Sequence, residues 1–220
     1  MTLEDEAKSP ASLLAIGSII HFAETGAVVW GSGVNGKVPE AEHRYGTLDV
    51  RAVRGPYTRE WLKEKRGIQA PEIYGDPALL LPRLVGDRFP ATGQGGAIFV
   101  PNLNDILKGQ TFDLPEGMRL VSPMQSWHRV VEEISKASFV AASSLHGVIL
   151  AEAFGIPARY VRLTKIEHLF KFRDFYAGTG RDSFEYASSP SEALEMGGER
   201  KMQFDPTPLE AAFPFDLWAI

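Results

Sequence analysis

Ser138-Phe-Val-Ala-Ala-Ser-Ser-Leu-His-Gly-Val-Ile-Leu150 decides how this chain folds. Phe139–Ala142 is a short, unbroken apolar run, the pattern of a strand buried on both faces of a parallel sheet. Two small polar residues follow, and Gly147–Phe154 then has the composition of a helix. Either Ser143 or Ser144 can serve as its N-cap. The first N–H groups of a helix lack intrahelical partners and lie at the positive end of the macrodipole, so the turn suits a phosphate or carboxylate. An ordinary strand-to-helix connection has the same outline. His146 is what points to chemistry, because an anion stabilises a neighbouring imidazolium and lets the ring exchange protons near neutral pH.

Around this turn the pattern repeats. Ala97–Val100, Arg119–Val121 and Ala158–Val161 read as further strands, with an amphipathic helix at Trp127–Lys136. Strands alternating with helices predict βαβ units in an α/β fold, with ligands bound beyond the carboxyl ends of the strands. Residues 97–165 are therefore expected to form one Rossmann-like lobe. Upstream, apolar runs at Ser12–Ile20, Ala27–Trp30 and Leu48–Arg54 and a helix over Tyr57–Lys65 predict a separate N-terminal α/β lobe at 1–85. Residues 86–96, rich in Gly, Pro and charge, read as a linker. Residues 166–220 read as a C-terminal extension packing across the lobes, ending in an apolar patch at Phe213–Ile220.

Of 220 residues, 44% are apolar and 23% charged, enough to bury a sizeable core. A formal charge of −5 argues against nucleic acid, whose backbone demands a basic surplus. With no cysteine there is no disulfide framework, thiolate metal site or cysteine nucleophile. The acidic start, Met1-Thr-Leu-Glu-Asp-Glu-Ala-Lys8, does not read as a secretory signal, and no apolar run approaches the ~20 residues of a bilayer span. The expected location is cytoplasmic. His21, His43, His128 and His168 form no metal-ligand spacing, and no metal site is expected.

Gly31-Ser-Gly-Val-Asn-Gly36 matches the dinucleotide fingerprint by letter, with Asp49 at a distance suited to a ribose-binding acid. That fingerprint must open a helix, whereas Lys37–Gly46 contains Pro39 and no apolar stripe. A tight turn, with backbone close to a ligand or a neighbouring element, fits better. Arg51 and Arg54 lie at a strand end before a Gly-Pro turn. A spacing of three places them on opposite faces, so one is expected to serve an anion, with Arg54 favoured over surface ion pairing. Lys165-Ile-Glu-His-Leu-Phe-Lys-Phe-Arg-Asp-Phe-Tyr176 interleaves cations with aromatics, the makings of an anion and sugar site or of an amphipathic helix against a core.

Five stretches in order, Trp30-Gly-Ser-Gly33, Asp49-Val-Arg-Ala-Val-Arg-Gly-Pro56, Tyr74-Gly-Asp-Pro-Ala-Leu-Leu-Leu-Pro82, Ser143-Ser-Leu-His-Gly147 and Lys171-Phe-Arg-Asp-Phe-Tyr176, resemble the polysaccharide pyruvyl transferase family, in particular its bacterial exopolysaccharide branch. The resemblance spans about residues 12–180. It implies two Rossmann-like lobes with parallel sheets, similar to B-type glycosyltransferases, and a transferase that moves pyruvate from phosphoenolpyruvate onto two hydroxyls of one sugar as a cyclic ketal. The acceptor is a cell-surface polysaccharide or its lipid-linked precursor, reached with peripheral membrane association. No cofactor is implied, phosphoenolpyruvate being a co-substrate. Carried over by motif, His146 is the catalytic acid and base. Arg54, Ser143, Ser144, Leu145, Gly147, Lys171 and Arg173 bind the donor, while Gly31, Ser32, Gly33 and Asp76 line the cleft. Some members carry arginine where this chain has Ser144, which would leave Arg162, Lys171 or Arg173 to supply the charge. Members also carry an upstream strand-helix segment with an Asn-x-Gly-Asp-like turn, so the first lobe is expected to be incomplete. Two other readings stay open: a nucleotide-sugar glycosyltransferase, with Glu152 as the nearby acid, and a non-catalytic glycan-binding or assembly component.

Overall fold

The structure, a computed structural model, describes residues 12–164 and 168–218. The acidic start, residues 165–167 of the aromatic-basic stretch and the last two residues lie outside the described residues. In chain order the elements are β1 (Leu13–Leu14), β2 (Val28–Trp30), β3 (Asp49–Ala52), α1 (Pro56–Arg66), α2 (Leu81–Val85), β4 (Ala97–Val100), α3 (Leu103–Leu107), β5 (Arg119–Leu120), α4 (Trp127–Lys136), β6 (Phe139–Ala142), α5 (Leu145–Ala153), β7 (Ala158–Val161), α6 (Phe170–Gly178), β8 (Tyr186–Ala187), α7 (Pro190–Met196) and α8 (Thr207–Ala211).

The protein is α/β, and the chain divides into two compact units. One comprises residues 1–77, 168–182 and 203–220; the other comprises 78–167 and 183–202. The expected linker, 86–96, falls inside the second unit. There Phe89 is buried beside Trp127, and the Thr92 and Gly95 amides donate to the carbonyls of Ser135 and Lys136. The segment after residue 166 likewise contributes to both units rather than forming a separate extension.

In the first unit, β1, β2 and β3 form a parallel sheet in that order. Pro56 starts α1, where its missing N–H costs nothing, and Gly67 at φ 66° ends it in the left-handed conformation that glycine adopts without strain. Its buried face carries Leu62, which joins Val29, Val53, Tyr45 and Ile20 in the core. Each such aliphatic contributes about 1.5–3 kcal/mol by burial. The helix α6 packs against α1 with Phe172, Phe175 and Tyr176 buried. Of the two expectations for the aromatic-basic stretch, its described part is thus a core helix.

The second unit holds five parallel strands in the order β5-β4-β6-β7-β8. Central strands β4, β6 and β7 are buried almost throughout, as their unbroken apolar composition requires. From β4 the chain first adds β5 on one side, then crosses by α4 to place β6 on the other. The carboxyl ends of β4 and β6 therefore flank a topological switch point, where open α/β sheets bind ligands.

Candidate functional site

The α5 N-terminus stands at that switch point. Ser144 is its N-cap, with a side chain that accepts from the Gly147 amide at 3.4 Å. His146 lies in the first turn and is half-buried, while Leu145 and Gly147 are buried. A Cβ on Gly147 would sit 2.8 Å from the Ala142 Cβ and 3.1 Å from the Val100 Cβ. Glycine therefore lets α5 start in direct contact with β4 and β6, which fixes where His146 emerges.

Ser143, expected to hold the donor through its backbone, is engaged within the protein by both side chain and amide. Its Oγ accepts from the Asn102 amide at 2.8 Å and donates to Asp105 Oδ2 at 2.9 Å. A hydroxyl has one proton to give, and that proton is committed to Asp105. The Ser143 and Ser144 amides are also spent, both donating to the Val100 carbonyl, at 3.1 and 3.4 Å. Leu145 and His146 hold first-turn positions, whose amides an α-helix does not satisfy internally. Arg162 follows β7 on the same carboxyl edge, its guanidinium 5.4 Å from the Tyr186 ring centroid. Asp105, which sequence reasoning passed over, brings a half-buried carboxylate to the β4 side of the switch point. Its sequence signal was an acid three residues after the asparagine that caps α3.

The remaining expected donor residues belong to the first unit. Arg54 is fully buried, so it presents no surface to a donor. Its Nε donates to Asp174 Oδ2 at 3.0 Å, Nη2 lies 2.9 Å from the same carboxylate and donates to the Val34 carbonyl at 2.8 Å, and Nη1 donates to the Ser18 hydroxyl. Asp174 also accepts from the Thr58 amide at 2.8 Å and the Thr58 hydroxyl at 2.7 Å. Here is a helix N-terminus with an arginine beside it, as expected of an anion site, but α6 supplies the anion from within. Arg51, the other strand-end arginine, pairs with Asp49 and Asp216 at the surface. Lys171 is buried with its Nζ 5.2 Å from the Phe172 ring centroid, and Arg173 is exposed on α6.

The turn at 31–36 opens no helix, so the dinucleotide reading fails on structure as it did on sequence. Gly31, Ser32, Gly33 and Asp76 are all buried, which corrects their expected place on a cleft wall. Gly33 lets the Arg54 guanidinium lie against bare backbone, and Ser32 Oγ donates to the Gly17 carbonyl at 2.9 Å. Gly31, at φ 83°, faces Pro77 where a side chain would collide.

His21 and His43, set aside by spacing, are the histidines whose proton affinity the fold visibly changes. Their ring centroids are 6.0 Å apart, and His43 Nδ1 shares a 3.0 Å hydrogen bond with the Tyr45 hydroxyl. Burial pushes the His43 pKa down to about 4, helped by His21 and Arg66. Burial also lowers that of His21, against the opposing effect of Glu42. Among the described residues no group of three or more His, Asp or Glu side chains could hold a metal ion, and no helix is long and apolar enough to cross a membrane.

The chain is 29% identical over 182 residues to ExoV, a succinoglycan biosynthesis protein of Rhizobium meliloti (strain 1021), covering 74% of this chain and 52% of that protein. It thus spans about half the length of this curated relative. The family model for polysaccharide pyruvyl transferase matches residues 2–163, which include every strand up to β7 and the whole of the His146 turn. The chain belongs to the polysaccharide pyruvyl transferase family.

Proposed function

We propose that this protein transfers pyruvate from phosphoenolpyruvate to two hydroxyls of a sugar, forming a cyclic ketal during assembly of a cell-surface polysaccharide. The observation that carries this reading is the α5 N-terminus at the β4/β6 switch point with His146 in its first turn. Phosphoenolpyruvate carries a phosphate and a carboxylate, and the Leu145 and His146 amides with the helix dipole suit the phosphate. Arg162, on the same edge of the same sheet, suits the carboxylate, a part the buried Arg54 does not play. His146 then donates a proton to the methylene carbon as a hydroxyl adds to C2, and recovers one as the second hydroxyl displaces phosphate. The relative's role in succinoglycan biosynthesis supports an exopolysaccharide as the product. This reading puts the protein in the cytoplasm, in peripheral contact with the membrane that would carry a lipid-linked acceptor.

The test is phosphate release from phosphoenolpyruvate in the presence of p-nitrophenyl glycosides of glucose, galactose and mannose. Release by the wild type and a loss of about 10²–10⁴ in rate for His146→Ala are expected, the usual cost of removing an acid-base group. Full activity of that variant would contradict the mechanism. Glycoside binding without phosphoenolpyruvate binding would point to a glycan-binding component instead.

A further inference from the structure

The ketal reaction must remove protons from two hydroxyls, yet the assignment above contains a single proton-transfer group. Resting on that assignment, we infer that Asp105 is the base that takes the proton of the first acceptor hydroxyl, with Ser143 as the residue that positions it. Asp105 stands on the β4 side of the switch point and His146 on the β6 side. Its Oδ2 accepts the Ser143 hydroxyl at 2.9 Å, and the same hydroxyl accepts the Asn102 amide at 2.8 Å. That bridge ties the β4 and β6 turns together and holds the carboxylate in one orientation. Oδ1 takes no hydrogen bond from the described residues, and the side chain is half-buried. A carboxylate held by one oxygen, with no cation paired to it among the described residues, keeps a second oxygen for a hydroxyl donor.

The proton inventory then closes on two groups. In the first step the acceptor O–H bond breaks and its proton passes to Asp105, as the oxygen's electron pair forms a bond to C2 of the donor. The C2–C3 π pair takes a proton from the His146 imidazolium, giving a methyl group and a tetrahedral phosphate-bearing intermediate. In the second step the other hydroxyl bonds to C2 while the C2–O bond to phosphate breaks. His146 takes that hydroxyl's proton and Asp105 returns its own to the departing phosphate, which leaves as hydrogen phosphate. Both groups end in the states in which they began.

Asp105→Asn separates this role from mere support of the turn, because the amide keeps an oxygen for Ser143 while losing the basic lone pair. In the 220-residue chain, with the same glycosides, its kcat should fall about 10²–10⁴-fold with phosphoenolpyruvate affinity by calorimetry within about threefold of wild type. The acid limb of the wild-type pH profile for kcat/KM on acceptor should flatten. Asp105→Ala should regain about tenfold or more with added formate, an effect a structural role would not give. A kcat for Asp105→Asn within about threefold of wild type, with an unaltered profile, overturns the assignment. Absence of phosphate release by the wild type overturns both this assignment and the reaction it rests on, so the two failures are told apart by the wild-type measurement.

Discussion

Replacing Arg54 by methionine would leave the Asp174 carboxylate sealed in the first unit with only the two Thr58 donors. Both partners are wholly buried, so the remaining charge has no water to turn to. Breaking such a pair from one side costs about 3–5 kcal/mol. Urea unfolding of Arg54→Met should show a loss of that size, and adding Asp174→Asn should recover part of it by removing the stranded charge. A variant as stable as wild type would contradict the structural role. His146 stands apart from Arg54 in this respect: it is half-buried, and so is free to be replaced at much lower cost to the fold.

At the scale of elements, the first unit carries its own acid sensitivity. The turn at residues 20–22 brings His21, the loop before β3 brings His43 and Tyr45, and α1 brings Trp61 and Arg66. Glu42 favours protonation of His21 but is outweighed by burial, while at His43 burial is reinforced by His21 and Arg66. Lowered pKa values mean that the unfolded chain binds protons at a pH where the folded chain does not. Stability should therefore be full above the ordinary histidine value of 6.5 and decline as pH falls from there towards about 4. The slope is up to roughly 1.4 kcal/mol per pH unit for each proton, and His43→Phe should reduce it. Urea midpoints that stay level between pH 7 and 4 would contradict this. Strands β4 to β7 and helices α4 and α5 were legible to within a residue or two, because strands buried on both faces are unbroken apolar runs and α4 has a clean amphipathic stripe, whereas the short α3, β8 and α7 were not. The partner of Arg54 was not legible. Asp174 lies 120 residues away on α6, and nothing local to either residue announces a contact that packing alone creates. The 31–36 turn stayed open between a ligand and a neighbouring element for the same reason, and its glycines answer to the buried guanidinium and to Pro77.

For the molecule as a whole, the sequence conveyed two α/β units but not their membership. Segments 168–182 and 203–220 return to the first unit while 183–202 completes the second, an exchange fixed by long-range contacts such as Trp30 Nε1 donating to the Leu209 carbonyl at 2.7 Å. Ser143 shows the same limit within the candidate site, since its hydroxyl answers to Asn102 and Asp105, residues of a different turn. What local sequence did convey was the helix end of the candidate site itself, because strand, cap, histidine and close-packing glycine are contiguous. The most direct test is a titration of the ¹⁵N-labelled protein with phosphoenolpyruvate, followed by amide and imidazole resonances. Saturable shifts centred on Leu145, His146 and Gly147, with the Arg54 guanidinium and its Thr58 and Asp174 neighbours unmoved, are expected. Saturable shifts that leave the 145–147 amides in place, or no response to the donor at all, would contradict the site.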